Sequence, residues 1–163
     1  MLYTTIDSPI GELLLAGDGR ALHRLSMHVS PGLRWQRDPA AFTDATQQLE
    51  EYFAGARRRF DLELALEGSA FELSVWSALE QIPYGETISY GELARRVARP
   101  DAARAVGLAN ARNPIAVIVP CHRVIGADGS LTGYGGGLER KRRLLDLEAG
   151  VLPLLSSAPT PAA

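Results

Sequence analysis

The chain has 163 residues, a formal net charge of −2 and 46% hydrophobic residues, a composition typical of globular domains. This length accommodates one ordinary domain or two small ones. The N-terminus has neither the basic start nor the apolar core of a signal peptide, and no apolar run is long enough to cross a bilayer. We therefore expect a cytoplasmic protein without membrane association. The slightly negative charge argues against a protein that binds nucleic acid through a basic surface over its whole length.

Two features of composition narrow the chemistry. Cys121 is the only cysteine, which excludes an internal disulfide and a cysteine-based metal site. The three histidines, His23, His28 and His122, lack the spacing of a ligand set. We therefore expect no metal and no cofactor. Between residues 88 and 123 six arginines face only two acidic residues, which predicts either a local phosphate-binding patch or a solvated helix face.

The first part of the chain predicts a small α+β domain, residues 1–67. Residues 3–28 favour β-structure, with a hairpin signal at Asp18-Gly19. Apolar residues recur at helical spacing from Phe42 to Ala54, and Asp38 or Thr43 could cap this helix. Residues 60–66 alternate between apolar and polar side chains, which predicts a half-buried strand.

After residue 67 the apolar period changes from two to 3.6, so a mostly helical second domain is predicted over residues 68–150. Helices are predicted over residues 69–81, 89–97, 102–111 and 138–149. Ser89 and Glu92 form the capping-box pattern, and Asp101 could cap the third helix. Two short helices joined by a tight turn predict a helix-turn-helix, whose second helix normally lies in a DNA groove.

The remaining segments are predicted from their content of glycine, proline and serine. Residues 113–119 are expected to be extended and to deliver Cys121, and the glycine-rich residues 126–137 can fold over a pocket. Residues 151–163, rich in proline and serine, predict a loose tail.

The third predicted helix is built mainly from small residues, with Arg104 and Arg112 as its long side chains. Such a helix can approach another backbone closely. The partner is either a neighbouring helix or a nucleic-acid groove with Arg104 projecting into it, and this stretch alone favours neither.

The run Pro120-Cys121-His122-Arg123 places a thiol beside an imidazole, the minimum for a nucleophile with a nearby base. A lone cysteine is more often a small buried apolar residue. The dipeptide by itself therefore leaves both interpretations open.

Together, several motifs resemble the O6-alkylguanine-DNA alkyltransferases, DNA-repair proteins that act once. The similarity is dense over residues 70–150. The residues that carry it are Ile82-Pro83-Tyr84-Gly85-Glu86-Thr87, Ser89-Tyr90, Ala102-Ala103-Arg104-Ala105-Val106-Gly107, Asn113-Pro114, Val119-Pro120-Cys121-His122-Arg123-Val124 and Leu144-Leu145-Asp146-Leu147-Glu148. The resemblance implies an α+β fold, in which a small ribonuclease-H-like sheet-plus-helix domain precedes a mostly helical, winged helix-turn-helix-like domain.

The resemblance also implies catalytic roles. Cys121 would accept the alkyl group irreversibly, His122 would take the thiol proton through a bridging water, and Glu148 would orient His122. Asn113 would brace the turn that carries Cys121. Tyr90 would assist rotation of the nucleotide and the departure of guanine.

On the DNA side, the resemblance makes Arg104 the residue that replaces a flipped nucleotide in the stack. Ala103, Gly107, Arg112 and Tyr90 would contact the DNA. The partner is expected to be double-stranded DNA that contains O6-alkylguanine, with O4-alkylthymine as a further substrate. We expect the chain to act as a monomer, and cooperative binding along DNA stays open.

The substrate pocket implied by the resemblance is formed by the backbone of Cys121 and Val124, by Tyr134, and by the backbone N–H groups of Gly135 and Gly136. Gly135 stands where many relatives have serine, and Ala116 stands where some carry proline. We therefore expect a roomier pocket that accepts larger O6 groups. Equal rates on benzylated guanine for this chain and an Ala116→Pro variant would contradict that hypothesis.

Two other functions compete with self-alkylation. Some relatives keep the DNA-binding fold but replace the cysteine, and bind damage without reacting; the intact Cys121 argues against this alternative. A cysteine hydrolase using Cys121 and His122 is the third, but hydrolases normally draw the histidine from a distant segment.

Overall fold

The computed structural model of the chain describes residues 1–151, so most of the predicted tail, residues 152–163, lies outside the described residues. The N-terminal half contains a four-stranded sheet with strand order β3-β2-β1-β4. β1 pairs antiparallel with β2 and parallel with the short β4, and β2 pairs antiparallel with β3. The strands are β1 Leu2–Ile6, β2 Leu13–Gly17, β3 Leu22–Ser26 and β4 Gln36–Arg37.

Helix α1, Thr43–Phe53, follows a 3-10 turn and buries Ala45, Leu49, Tyr52 and Phe53. These positions form one stripe at helical spacing, which confirms the predicted helix. The predicted caps were wrong: Phe42 occupies the cap position, and no side chain caps α1.

The strand predicted over residues 60–66 was also wrong. Only Leu64 forms a β-bridge, with Leu22. Upstream, the backbone of Asp61 exchanges two hydrogen bonds, of 2.8 and 3.0 Å, with the side chain of Gln48 in α1. Because the segment is held partly by a helix side chain, it pairs with β3 at one point rather than along a ladder.

The C-terminal half is mostly helical, as predicted, and its four helices lie within one or two residues of the expected bounds. A two-stranded parallel sheet of β5, Ile88–Ser89, and β6, Val124–Ile125, joins its middle. The helices are α2 Ala70–Glu80, α3 Tyr90–Arg96, α4 Ala103–Ala111 and α5 Leu138–Glu148.

The helix starts differ in their caps. Ser69 and Glu72 form a complete capping box at α2. At α3 the Ser89 hydroxyl accepts from the Glu92 N–H, but the Glu92 carboxylate binds Arg95 and Arg96 instead of closing the box. The cap predicted for Asp101 is absent, because Ala102 occupies that position at α4.

Residues 113–119 form turns rather than the extended segment predicted. The edge strand β3 explains this: the Leu25 N–H donates to the Pro114 carbonyl at 3.0 Å, and the Ala116 N–H donates to the Leu25 carbonyl at 3.1 Å. Beyond this anchor the chain bends back, and the Val119 N–H reaches the Ile115 carbonyl at 3.0 Å. Val117 has a φ of 72°, a strained conformation for a β-branched residue.

The buried apolar residues of both halves form a single cluster that includes Leu25, Tyr52, Trp76 and Cys121. Trp76 in α2 also donates to the Ala109 carbonyl of α4 at 2.9 Å. The turn that carries Cys121 is therefore fixed from both halves of the chain. Among residues 1–151, no helix has the length and apolarity that crossing a membrane requires.

Candidate active site

Cys121 begins a short 3-10 turn, Cys121–Arg123, just before β6. Its side chain is only 5% exposed and lines a pocket of about 250 Å³. Burial raises the pKa of the Cys121 thiol, while a hydrogen bond from Asn113 and the charge of Lys141 act to lower it. The thiol therefore rests protonated and needs a base before it can attack.

His122, the next residue in the chain, is the candidate for that base. Its Nε2 lies 2.8 Å from Oε2 of Glu148, and both side chains are buried. Burial lowers the pKa of His122, with Glu148 opposing the shift, so the imidazole rests neutral. Burial alone would raise the pKa of Glu148, but hydrogen bonds and charge from His122 and Arg123 hold it below its ordinary value.

The ionised Glu148 carboxylate can only accept hydrogen bonds, so Nε2 of His122 carries the proton and Nδ1 is a free acceptor. Within residues 1–151, this buried Nδ1 has no hydrogen-bond partner. The arrangement is a base whose orientation and tautomer are set by a carboxylate.

Arg123 neutralises Glu148. Its Nε donates to Oε1 at 2.7 Å and its Nη2 to Oε2 at 3.0 Å. The remaining guanidinium nitrogen donates to the Ile82 carbonyl at 2.6 Å. Such a fork binds a carboxylate with a fixed geometry, so Glu148 is held in one orientation.

Gly85 makes this cluster possible from the neighbouring turn. Its φ is 82°, and a Cβ at this position would lie 3.2 Å from the Glu148 carbonyl oxygen. The close approach also brings its N–H within 3.5 Å of Oε1 of Glu148. The positive φ and this close contact explain why glycine occupies position 85 in the Pro83-Tyr84-Gly85 turn.

Asn113 makes two hydrogen bonds to the backbone that precedes Cys121. Its Nδ2 donates to the Val119 carbonyl at 2.7 Å, and its Oδ1 accepts from the Ile115 N–H at 3.0 Å. The side chain therefore ties together both ends of the loop that precedes Cys121.

Three of the predicted pocket residues lie in the glycine-rich segment, whereas Val124 is not among the residues that line the pocket of Cys121. Tyr134, Gly135 and Gly136 line the same pocket as Cys121 and Ala116. The Tyr134 hydroxyl is buried and has no partner within residues 1–151. A Cβ on Gly136 would lie 2.0 Å from Sδ of Met27, whereas a Cβ on Gly135 would meet only the Ala111 oxygen at 3.9 Å.

Helix α4 presents an exposed face that includes Ala103 and Arg104, opposite its buried Val106, Ala109 and Asn110. Of the arginines expected to form a basic patch, Arg95 and Arg96 pair with Glu92, and Arg123 is buried against Glu148. Within residues 1–151, Arg104 and Arg112 form no ion pair with a carboxylate. Arg99 is also outside any ion pair in this range and lies over the Phe71 ring. The unpaired positive charge therefore comes from Arg99, which precedes α4, and from Arg104 and Arg112, in and directly after it.

Family models match both halves of the chain. The ribonuclease-like domain of 6-O-methylguanine DNA methyltransferase matches residues 1–66, and the DNA binding domain matches residues 70–150. The chain belongs to this family. The match confirms the ribonuclease-like N-terminal fold expected from the sequence.

Individual proteins of the family are also similar to this chain in sequence and structure. The methylated-DNA–protein-cysteine methyltransferase of Mycobacterium tuberculosis is 58% identical over 155 residues, covering 93% of this chain and 94% of its own. The corresponding protein of Methanosarcina acetivorans is 52% identical, over 91% and 98% of the two chains. The crystal structure of M. tuberculosis OGT in complex with DNA superimposes with a TM-score of 0.91 at 57% identity, over 96% of this chain and 99% of that one.

The sequence of this 6-O-methylguanine DNA methyltransferase family member did not lead us to expect Lys141 near Cys121. The side chain is buried, and its Nζ donates to the Val124 carbonyl at 2.6 Å and the Thr132 carbonyl at 2.8 Å. Burial lowers the pKa of Lys141, while the neighbouring Cys121 opposes the shift. Helical spacing could have revealed it, because residues 141, 144 and 148 share one face of α5.

Lys141 also changes the expected pocket chemistry. The Val124 carbonyl, predicted to contact guanine, already accepts from Lys141, although a carbonyl has a second lone pair. Tyr90 is likewise engaged, since its hydroxyl donates to the Thr132 carbonyl at 3.0 Å. Thus Lys141 and Tyr90 both hold Thr132, which lies within the glycine-rich segment.

Proposed function

We propose that this chain repairs alkylated DNA by direct reversal, transferring the alkyl group from O6 of guanine in duplex DNA to Sγ of Cys121. Family membership supports the reaction class. The observation that carries the proposal is the surroundings of Cys121, the only cysteine. Its side chain lines a pocket and lies next in sequence to the neutral imidazole of His122, which the buried, ionised carboxylate of Glu148 orients.

The reaction balances with the groups present. Nδ1 of His122 takes the thiol proton through a bridging water, and Glu148 stabilises the imidazolium that forms. The thiolate then attacks the alkyl carbon. The S–C bond forms as the C–O6 bond breaks, and the bonding electrons remain on guanine. Guanine then takes up the proton that His122 received from the thiol, and the imidazole returns to its neutral form. Because a thioether has no good leaving group, each molecule reacts once.

Lys141 and Asn113 prepare the nucleophile. The charge of Lys141 and the hydrogen bond of Asn113 both favour the thiolate over the thiol. The same residues hold the backbone on either side of Cys121 through the Val124 and Val119 carbonyls. A thiolate placed by rigid neighbours needs little reorganisation before attack.

The pocket offers groups for the departing base. The Tyr134 hydroxyl is buried without a partner in residues 1–151 and can donate to O6 as charge develops there. Gly135 and Gly136 line the same pocket, and their backbone N–H groups would contact the base near O6. Cys121 and Val124 would contact the exocyclic amine through their backbone.

The lesion must leave the base stack to reach this pocket, because O6 of guanine lies inside the pair. Base flipping costs a few kcal/mol, less for a weakened alkylated pair. Arg104 is exposed at the start of α4 and would fill the vacated space, with Ala103, Gly107 and Arg112 close to the DNA backbone. Tyr90 would support rotation of the nucleotide. An alkyl group on O4 of thymine could enter by the same route.

Intact mass spectrometry tests the proposal directly. After mixing with a duplex that contains O6-methylguanine, the chain should gain one methyl group, located at Cys121 by peptide mapping. A Cys121→Ala variant should bind the duplex without gaining mass. Lesion binding by the unaltered chain without any mass gain would instead identify a non-catalytic damage-binding protein.

A further inference from the structure

Tyr52 connects the N-terminal half to the proposed proton relay. It lies in α1, its side chain is fully buried, and its ring packs against Phe53, Phe60 and Tyr84. Its hydroxyl donates to Oε2 of Glu148 at 2.5 Å, across 96 positions of sequence. No sequence motif marks this residue, because its partner is remote.

Oε2 of Glu148 is an unusually crowded acceptor. It receives hydrogen bonds from Nε2 of His122, from Arg123 and from Tyr52. Of these three donors, Tyr52 alone comes from the N-terminal half. Each donor draws on the same negative charge, so a strong bond from Tyr52 leaves less of that charge for His122.

We propose that Tyr52 is a positioning residue for alkyl transfer, whose hydroxyl restrains Oε2 of Glu148 and limits how strongly Glu148 supports a proton on His122. The N-terminal domain thereby sets the strength of the base. This inference rests on the proposed function for its consequence in repair, but the effect on His122 exists without DNA.

Packing alone does not require the hydroxyl. The Tyr52 ring lies in an aromatic cluster that a phenylalanine would fill, and burying an extra hydroxyl is unfavourable unless it is bonded. Arg123 already holds the Glu148 carboxylate with two hydrogen bonds. The hydroxyl therefore adds an effect on the charge of Oε2 beyond what anchoring the side chain needs.

The direction of the effect follows from the groups around His122. Glu148 favours the imidazolium, whereas burial, Arg123 and Lys141 oppose it. Cys121 lies beside His122 in the turn, and Tyr84 adds a second hydroxyl near Glu148. Removing the Tyr52 hydroxyl changes only the negative charge that Glu148 presents to His122, which increases. The pKa of His122 must therefore rise.

NMR of protein labelled with ¹⁵N-histidine measures this directly. The chain has three histidines, so the His122 ring signals can be assigned with a His122→Gln variant. Tyr52→Phe should raise the titration midpoint of His122 by about half a pH unit. Placing 3-fluorotyrosine at position 52, a stronger donor of the same shape, should lower it.

Tyr84→Phe is the matched control. It removes a neighbouring hydroxyl that makes no hydrogen bond to Glu148, so the His122 midpoint should stay unchanged. Thermal unfolding of each variant verifies that it is folded. If Tyr52→Phe fails to fold, the fluorotyrosine protein still decides the question.

The pH dependence of methyl transfer gives the functional counterpart. The acid limb should follow the NMR midpoint, making Tyr52→Phe about threefold slower well below the midpoint. An unchanged His122 midpoint in both folded variants, with or without a uniform loss of rate, would overturn the proposal. A shifted midpoint without any methyl transfer by the unaltered chain would support Tyr52 as tuning the base and would contradict only the proposed repair function.

Discussion

The two sides of Cys121 differ in how far their polar groups are satisfied. On the relay side, Glu148 receives hydrogen bonds from His122, Arg123 and Tyr52, all buried. On the pocket side, the Tyr134 hydroxyl has no partner in residues 1–151, and Arg104 projects from α4. A buried polar group without a partner is costly. On the relay side, Nδ1 of His122 is the buried atom that also has no partner in residues 1–151. We infer that the hydrogen bonds around Glu148 are complete before DNA binds and that the open side is completed by the DNA.

If the hydrogen bonds around Glu148 are complete without DNA, a substitution there should lower both the stability of the protein and the rate of methyl transfer. Glu148→Gln leaves the buried Arg123 charge without its carboxylate, so the free energy of unfolding should fall by about 3 kcal/mol. Loss of base orientation should slow methyl transfer by about 100-fold or more. Urea unfolding and transfer rates measure the two effects.

Glu139→Gln is the matched control on the same helix. Its carboxylate is 74% exposed and pairs with Arg143 at the surface, so its loss should change stability by less than about 0.5 kcal/mol. An equal effect of the two variants would contradict the special position of Glu148.

A substitution on the open side should leave the intrinsic reactivity of Cys121 unchanged. Arg104→Ala should slow repair of duplex DNA by about 30-fold, because about 2 kcal/mol of support for the flipped state is lost. Alkylation of Cys121 by iodoacetamide should be unchanged. Arg95→Ala, which removes an arginine already paired with Glu92, should affect both reactions little, and a slowed iodoacetamide reaction in Arg104→Ala would contradict the separation.

Lys141 lies between the two sides, because it bonds both Val124 and Thr132. Lys141→Met removes a positive charge near Cys121, so the pKa of the thiol should rise further. A rise of one unit would reduce the iodoacetamide rate near neutral pH about tenfold. The rate measured against pH distinguishes this shift from a general loss of folded protein, which would lower the whole profile.

Acid should unfold the protein through the relay. The folded-state pKa of His122 lies below its ordinary 6.5, so the unfolded chain binds more protons below that pH and stability falls as the pH decreases. Protonation of Glu148, whose pKa is also lowered, adds a further loss below about pH 4.3. In melting temperatures measured from pH 8 to 5, His122→Gln should flatten the decline and His23→Gln should preserve it.

The smallest effect concerns pocket size. Ala116→Val narrows the wall and should reduce the rate on benzylated relative to methylated guanine by about threefold, from lost space of roughly two methyl groups. This variant is preferable to Ala116→Pro, since proline would also remove the N–H that donates to Leu25. An unchanged ratio would contradict the roomier pocket expected from the sequence.

Local patterns predicted most of the elements correctly. The helices follow from apolar spacing and from caps such as Ser89, since both depend on residues a few positions apart. Prediction failed where distant partners decide. Residues 60–66 alternate like a strand but are held by Gln48, and residues 113–119 look extended but bend after the bridge to Leu25.

The sequence by itself determined the fold class and the family, and it supplied the proposed nucleophile with its histidine neighbour, because these depend on residue identity and short-range order. Only the tertiary structure decided which groups tune them. Tyr52 reaches Glu148 because α1 and α5 pack against one core, and Lys141 reaches the Val124 carbonyl because α5 packs against the Cys121 turn. Hydrogen bonds depend on distances of a few tenths of an ångström between remote residues, and no local pattern encodes them.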